Sequence, residues 1–334
     1  MKYLLTLLFI CCFSLAKSQS QKILLIDSGK NTSLRGLSVV NDKVAWVSGS
    51  NGWVAKMVDG KSFSWQQVKG FEKLDFRDIE SFSADEAIII NAGYPAYILK
   101  TKDGGQTWKT VYENKDSLIF LDGMDFWNAK EGIIFGDPIN GIMKLLVTKD
   151  AGETWQDVSA KANVNLKEGE ASFAASGTTI RTFKNKVYIA TGGKHSRLWN
   201  SADKAQTWSV EDIDIIKGEA STGTFSIAIN QNTIYAVGGD YLKEESAISN
   251  YSFKSTKENT WTKIENNPKG YRSAIEVINK KVILATGPSG VDISNDAGQS
   301  WQLFSPKGFH TCRRAIKGKL ILFTGSRGQI GKLI

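Results

Sequence analysis

The chain has 334 residues, of which 41 % are hydrophobic and 23 % charged, with a formal charge of +8. That balance excludes a disordered or low-complexity chain. The basic excess is spread thinly, without the dense Lys/Arg stripe of a nucleic-acid binder, and favours acidic partners only mildly.

Residues 1–20, "MKYLLTLLFICCFSLAKSQS", read as a secretory signal: a basic start at Lys2, a short apolar run from Tyr3 to Ala16, and small residues at Ala16 and Ser18. Ile10 is too bulky to precede a lipoprotein cut at Cys11, so no lipid anchor is expected. Cleavage leaves Cys312 as the one cysteine, without a disulfide or a cysteine metal site, and takes the charge to about +6. The expectation is a protein placed outside the cytoplasm, secreted or periplasmic, with residues 21–334 as one domain and no membrane span.

Next comes a lone strand, "KILLIDSG" at 22–29, and then a repeat. An apolar strand running into glycine recurs as "VAWVSGSNG", "AIIINAGYP", "GIIFGDPING", "VYIATGGKH", "TIYAVGGDY", "VILATGPSG" and "LILFTGSRG". Its first glycines stand at Gly49, Gly93, Gly136, Gly192, Gly238, Gly287 and Gly325, an average spacing of 46. Each copy is preceded by a strand such as "LRGLSVV" or "FRDIESFS" and followed by one such as "AYILKT" or "IMKLLVT". This predicts an all-β, seven-bladed β-propeller of four-stranded blades. The last unit stops at "GQIGKLI" without an outer strand, so residues 22–29 are expected to pair there and close the ring.

Between third and outer strands lies a repeated box: "TKDGGQTW" at 101–108, "TKDAGETW" at 148–155 and "SNDAGQSW" at 294–301. Asp103, Asp150 and Asp296 can cap the turn, and Gly105, Gly152 and Gly298 can take positive φ. Trp108, Trp155 and Trp301 place a ring between blades, worth about 2–3 kcal/mol of burial each. "SADKAQTW" keeps Asp203 and Trp208 but has Ala205 for glycine, and two more copies keep little but the tryptophan. Residues repeated and decaying in this way are scaffold.

These boxes resemble Asp-box (BNR) repeats. The chain after residue 20 is similar to secreted bacterial propellers related to the photosystem II stability/assembly factor-like family, in phrases such as "FRDIESF", "FLDGMDFW", "GEASFAASGT", "VGGDY" and "GFH". The resemblance implies the propeller fold and a protein-binding or assembly role; it also covers members labelled glycosyl hydrolase and oxidoreductase.

Binding residues belong on the face opposite the boxes, where loops enter the inner strands. Aligning the inner strands places Arg35, Arg77, Arg272 and Arg313 at one level of contiguous blades, a basic arc at the channel mouth. Asp122, Glu170 and Thr224 stand near that level in blades three to five. Arginine forks suit carboxylates, so an acidic ligand or acidic protein segment is expected. The bland alternative is that these arginines pair with neighbours, Arg77 with Asp122 among them. Softer candidates are His195 and His310, Asp137 and Asn140, and Asp240 and Tyr241. Arg314 and Cys312 are expected to pack.

The function expected is a non-catalytic, monomeric binding propeller without cofactor or metal, taking a protein, acidic or carbohydrate ligand. The alternative is a glycoside hydrolase. Against a sialidase-like enzyme, "FRDI" at 76–79 has Asp78 inserted and no proline, and such enzymes have six blades. Against a xyloglucanase-like enzyme, those pair two propellers. An oxidoreductase is the remotest reading, since no Gly-x-Gly-x-x-Gly opens a helix after a strand.

Overall fold

A computed structural model describes residues 21–258 and 260–334; the leader read at 1–20 lies outside them. Among the described residues, seven antiparallel sheets follow one another along the chain as blades. Blades one and two hold the strands Leu34–Val39, Ala45–Gly49, Trp53–Met57, Phe63–Gln67 and Asp75–Ser81, Ala87–Ala92, Ala96–Thr101, Lys109–Asn114. The inner strands of blades three to seven are Leu121–Phe126, Ile180–Phe183, Thr222–Asn230, Ala274–Val277 and Thr311–Arg314. Second strands such as Ile88–Ile90 are buried on both faces, because each blade packs against a neighbour on either side.

The ring closes through its first strand. Ile23–Asp27 pairs antiparallel with Ile330–Leu333, so blade seven contains both ends of the described chain. The Lys22 N–H donates to the Ile334 carbonyl at 3.0 Å, and the Ile334 N–H returns the bond at 2.9 Å.

The boxes are turns of one design. In blade three the Thr148 hydroxyl donates to Asp150 at 2.8 Å. Asp150 also accepts the Thr154 N–H at 3.0 Å and the Thr154 hydroxyl at 2.6 Å. The Gly152 N–H donates back to the Thr148 hydroxyl at 2.8 Å. Gly105, Gly152 and Gly298 take φ of 88°, 79° and 87°. Ala205 takes the same conformation at 67°, so that copy keeps the turn without the glycine. The tryptophans reach other aromatics: Trp108 of blade two meets Trp46 of blade one edge-on at 6.2 Å, and Trp301 of blade six meets Tyr251 of blade five at 5.2 Å.

Blade five departs from the four-stranded expectation, and blade three keeps it with a short outer strand. In blade five the outer strand shrinks to one bridge, Phe253 with Thr262, and a short ribbon of Glu170–Ala171 with Gly192–Gly193 extends the inner edge. In blade three the outer strand is only Gln156–Asp157, followed by the helical turn Ser159–Ala162. Among the described residues no helix is long and apolar enough to cross a membrane.

The channel is plugged. The segment 173–178, "FAASGT", leads into blade four and reaches across the axis. The Ala175 carbonyl accepts from Arg35 of blade one at 2.9 Å. The Ser176 hydroxyl donates to the Ser273 carbonyl of blade six at 2.7 Å, and Thr178 bonds Ser226 of blade five at 2.5 Å. Gly177 has φ of 66°, and a Cβ there would stand 2.2 Å from a carboxylate oxygen of Asp78 in blade two. No other residue fits that crossing.

Candidate binding site at the channel mouth

Inner strands normally alternate their side chains between two blade interfaces. Four of them carry a bulge at the same place, and each bulge leaves one residue outside the pairing: Arg35, Arg77, Asp122 and Phe225. A bulge re-aims the unpaired side chain. Here it aims along the channel. In blades six and seven, Ala274 pairs with Thr286 and Thr311 with Thr324, so Ser273 and His310 take the corresponding place.

Arg35, Arg77, Phe225, Ser273 and His310 all line one cavity of about 430 Å³ above the plug. Its other walls come from Asp137 on the second strand of blade three and from loops, Phe120, Phe173, Tyr241, Glu244 and Tyr271 among them. Phe173 stacks on Phe225 with centroids 3.8 Å apart and planes 9° apart. Tyr241 and Tyr271 meet Phe225 edge-on at 6.1 and 4.7 Å. The cup is therefore cationic on the side of blades one and two and aromatic on the side of blades four to six.

Burial, and then the neighbouring charge of Arg77, lower the pKa of Arg35. Arg77 holds Asp75 through Nε at 2.8 Å and keeps a third of its side chain in water. Burial, reinforced by Arg35 and Arg77, takes His310 down to about 3, so its imidazole is neutral and adds no charge. Its Nε2 lies 3.1 Å from the Ser33 hydroxyl. Burial also raises Asp137, which accepts the Ser172 N–H at 3.2 Å. The arginines are thus the cations of this mouth, facing Asp137 and Glu244 across it.

The expected arc of four arginines is not formed. Arg272 precedes the mouth position by one residue, and that slip turns it into the blade. It is fully buried, with Nε 2.6 Å from Asp292 and a further bond to Ser289 at 2.9 Å. Arg313 lies three residues beyond the mouth position and lines the opposite end of the channel, 3.6 Å from Glu80. Arg314 is exposed there instead of packed within the blade.

Glu170 is a structural anion. Burial pushes its pKa up, but bonds from Arg197, Thr191, the Lys167 N–H and Trp199 outweigh this and hold it below its ordinary value. Asp122 is fully buried beneath the cup, and neither carboxylate oxygen has a partner. Burial, then the field of Asp137, raises it well above the usual carboxylate range. The expected pair with Arg77 is not formed, because Arg77 turns to Asp75. Thr224 is buried and bonded to Ser196 at 2.8 Å. His195 is half-buried in a hairpin and is not among the cavity's lining residues. Asp240 caps a turn, accepting the Leu242 N–H at 3.0 Å, and Asn140 is exposed in a hairpin at φ 52°. Cys312 is fully buried, as expected.

Sequence reasoning missed Phe173, Phe225 and Tyr271. The signal for Phe225 was its register: it holds in blade five the place of Arg35 and Arg77. Among the described residues no group of three acidic, histidine or cysteine side chains is placed to hold a metal ion.

Residues 61–165 match a family model described as the photosynthesis system II assembly factor YCF48. Among curated proteins none matches the chain in sequence. A solved YCF48 bound to D1 peptide is similar over 94 % of this chain and 97 % of its own, with a TM-score of 0.66 and 14 % identity. YCF48 from Cyanidioschyzon merolae gives 0.67 and 15 %, over 93 and 98 %. The GH74 xyloglucanase from Xanthomonas campestris gives 0.64 and 15 %, over 93 % of this chain but 53 % of that one. At these identities the likeness is one of fold.

Proposed function

We propose that the chain is a non-catalytic binding propeller that takes an acidic segment of a protein partner at the channel mouth, acting as a monomer outside the cytoplasm. The observation that carries this reading is the convergence of Arg35 and Arg77, from adjacent blades, on one cavity of about 430 Å³ closed below by the plug. Clefts of roughly 300–1,000 Å³ suit small ligands and short segments. Two guanidiniums held in a half-buried cup attract a carboxylate more strongly than they would in open water. A relative of the same fold is solved with a bound peptide, which supports a peptide here.

The test is calorimetric titration of the protein, produced from residue 21 onward, with short acidic peptides. Arg77→Ala should weaken binding about tenfold or more, the scale of one charge-assisted bond, and Arg35→Ala likewise. Unchanged affinity in the double variant would remove the site. A second reading, glycan hydrolysis, has Asp137 in its favour, a carboxyl raised by burial in the same cavity as Glu244 and an aromatic wall. Release of reducing ends from xyloglucan, abolished by Asp137→Asn, would establish it in place of the first.

A further inference from the structure

The basic side of the mouth accounts for a carboxylate, and the aromatic side has no role in that. Phe225 is used up in packing: Phe173 covers one face, Tyr241 and Tyr271 meet it edge-on, and 2 % of it is exposed. Phe173 and Tyr241 are not used up. Phe173 is half-buried on the cavity wall, and Tyr241 is 43 % exposed. Their rings stand 6.4 Å apart at 78°, forming a corner open to the cavity. The same loop carries Leu242 and Ile248 outward at 74 % and 70 % exposure.

We infer that the mouth reads two features together: a carboxylate on Arg35 and Arg77, and an aromatic side chain of the same peptide seated in the corner of Phe173 and Tyr241. This rests on the acidic-segment reading and specifies its ligand as a peptide with an aromatic residue close to its acidic one. Both walls belong to one cavity of about 430 Å³, so the two features must lie within a few residues, each spanning at most about 3.3–3.6 Å. Edge-to-face contact with a third ring is the geometry that such a corner offers. The charge of Arg35 and Arg77 selects against basic neighbours, and the neutral His310 adds no charge of its own.

The test uses two alanine-based peptides, one with a phenylalanine beside its aspartate and one with alanine there, titrated into the wild type and into Tyr241→Ala. Tyr241 is exposed, so the variant should keep the wild-type melting temperature; Phe173→Leu serves as a second variant. The wild type should prefer the phenylalanine peptide about tenfold, as 1.4 kcal/mol gives, and both variants should lose that preference. Equal affinity of the two peptides for the wild type, or a preference untouched in both variants, overturns the inference while leaving the acidic-segment reading intact. Binding of neither peptide overturns both.

Discussion

Arg313 and Glu80 meet at 3.6 Å across the lower end of the channel, although blade one stands between their blades. Arg181 and Glu276 do the same at 3.4 Å across blade five. These ties brace non-adjacent blades, and they sit among carboxyls taken out of water. Burial raises Glu276 to about 8 against a backbone bond from Arg314, and raises Asp78 to about 7 against the field of Arg313. A group whose folded pKa is raised binds more protons folded than unfolded. Its stability contribution is full below the unfolded value near 4 and is lost as pH rises through the folded one. Melting temperature should therefore fall between pH 5 and pH 9. Glu276→Gln should flatten that fall, retaining on the order of 1–2 kcal/mol at pH 9. Parallel pH profiles for the variant and the wild type would remove Glu276 as the cause.

Arg272 and Asp292 make the opposite kind of pair. Both side chains are fully buried, and Asp292 also accepts the Lys269 N–H at 3.0 Å. Removing one member leaves an uncompensated charge in the blade, at a cost of about 3–5 kcal/mol. Asp292→Ala should lower the urea midpoint sharply. Replacing both members together, Arg272→Met with Asp292→Leu, should cost less than Asp292→Ala alone, because no buried charge is then stranded. A double variant weaker than the single one would mean that the pair itself is stabilising.

The propeller was legible because its signal is long-ranged: seven glycines at a mean spacing of 46, each ending a strand buried on both faces. The lone strand at 22–29 had one open edge left to pair with. The site was legible only where the inner strands align without a slip. Arg35 and Arg77 hold the bulge position, and the bulges themselves leave no trace in hydrophobic alternation. In blades five, six and seven the alignment settled on Thr224, Arg272 and Arg313, while Phe225, Ser273 and His310 face the mouth. An offset of one residue exchanges the channel for the blade interior. The plug was beyond reach for another reason. "FAASGT" has neither charge nor strand pattern, and its place is set by contacts from blades one, two, five and six.

The boxes should behave as scaffold under substitution. The Asp150 carboxylate accepts three bonds within its turn, and the Thr154 hydroxyl, then its N–H, hold it at about 2. Asp203 is held at about 2 by Thr207 in the same way. A depressed pKa contributes stability above the unfolded value, lost as pH falls from about 4 through 2. Asp150→Ala should cost about 0.5–1 kcal/mol at neutral pH, small because the turn is exposed to solvent, and much less at pH 2, measured by thermal melts. Peptide affinity should not change, since the turn is not part of the mouth. Lost binding in a folded Asp150→Ala protein would place function on the box face.

Ring closure gives the last prediction. The paired bonds of Lys22 with Ile334 fix the phase of the closing ladder. In an antiparallel pair every second residue exchanges both bonds, so the Leu24 N–H is directed at Lys332, its registered partner. The Leu24 side chain is 47 % exposed and contributes little packing. Leu24→Pro therefore isolates the backbone: it removes one ladder donor and fixes φ, at a cost of about 1–3 kcal/mol for the carbonyl left without its donor. Leu24→Ser keeps the N–H and should cost roughly 0.5 kcal/mol or less, as exposed substitutions do. Opening the strand bares the edge of Ile330–Leu333, which can then pair with another copy. The proline variant should melt lower and show dimers in sedimentation at high concentration, and the serine variant neither. Equal stability of the two would mean that the ring is held by its blade interfaces and that the closing strand adds nothing to them.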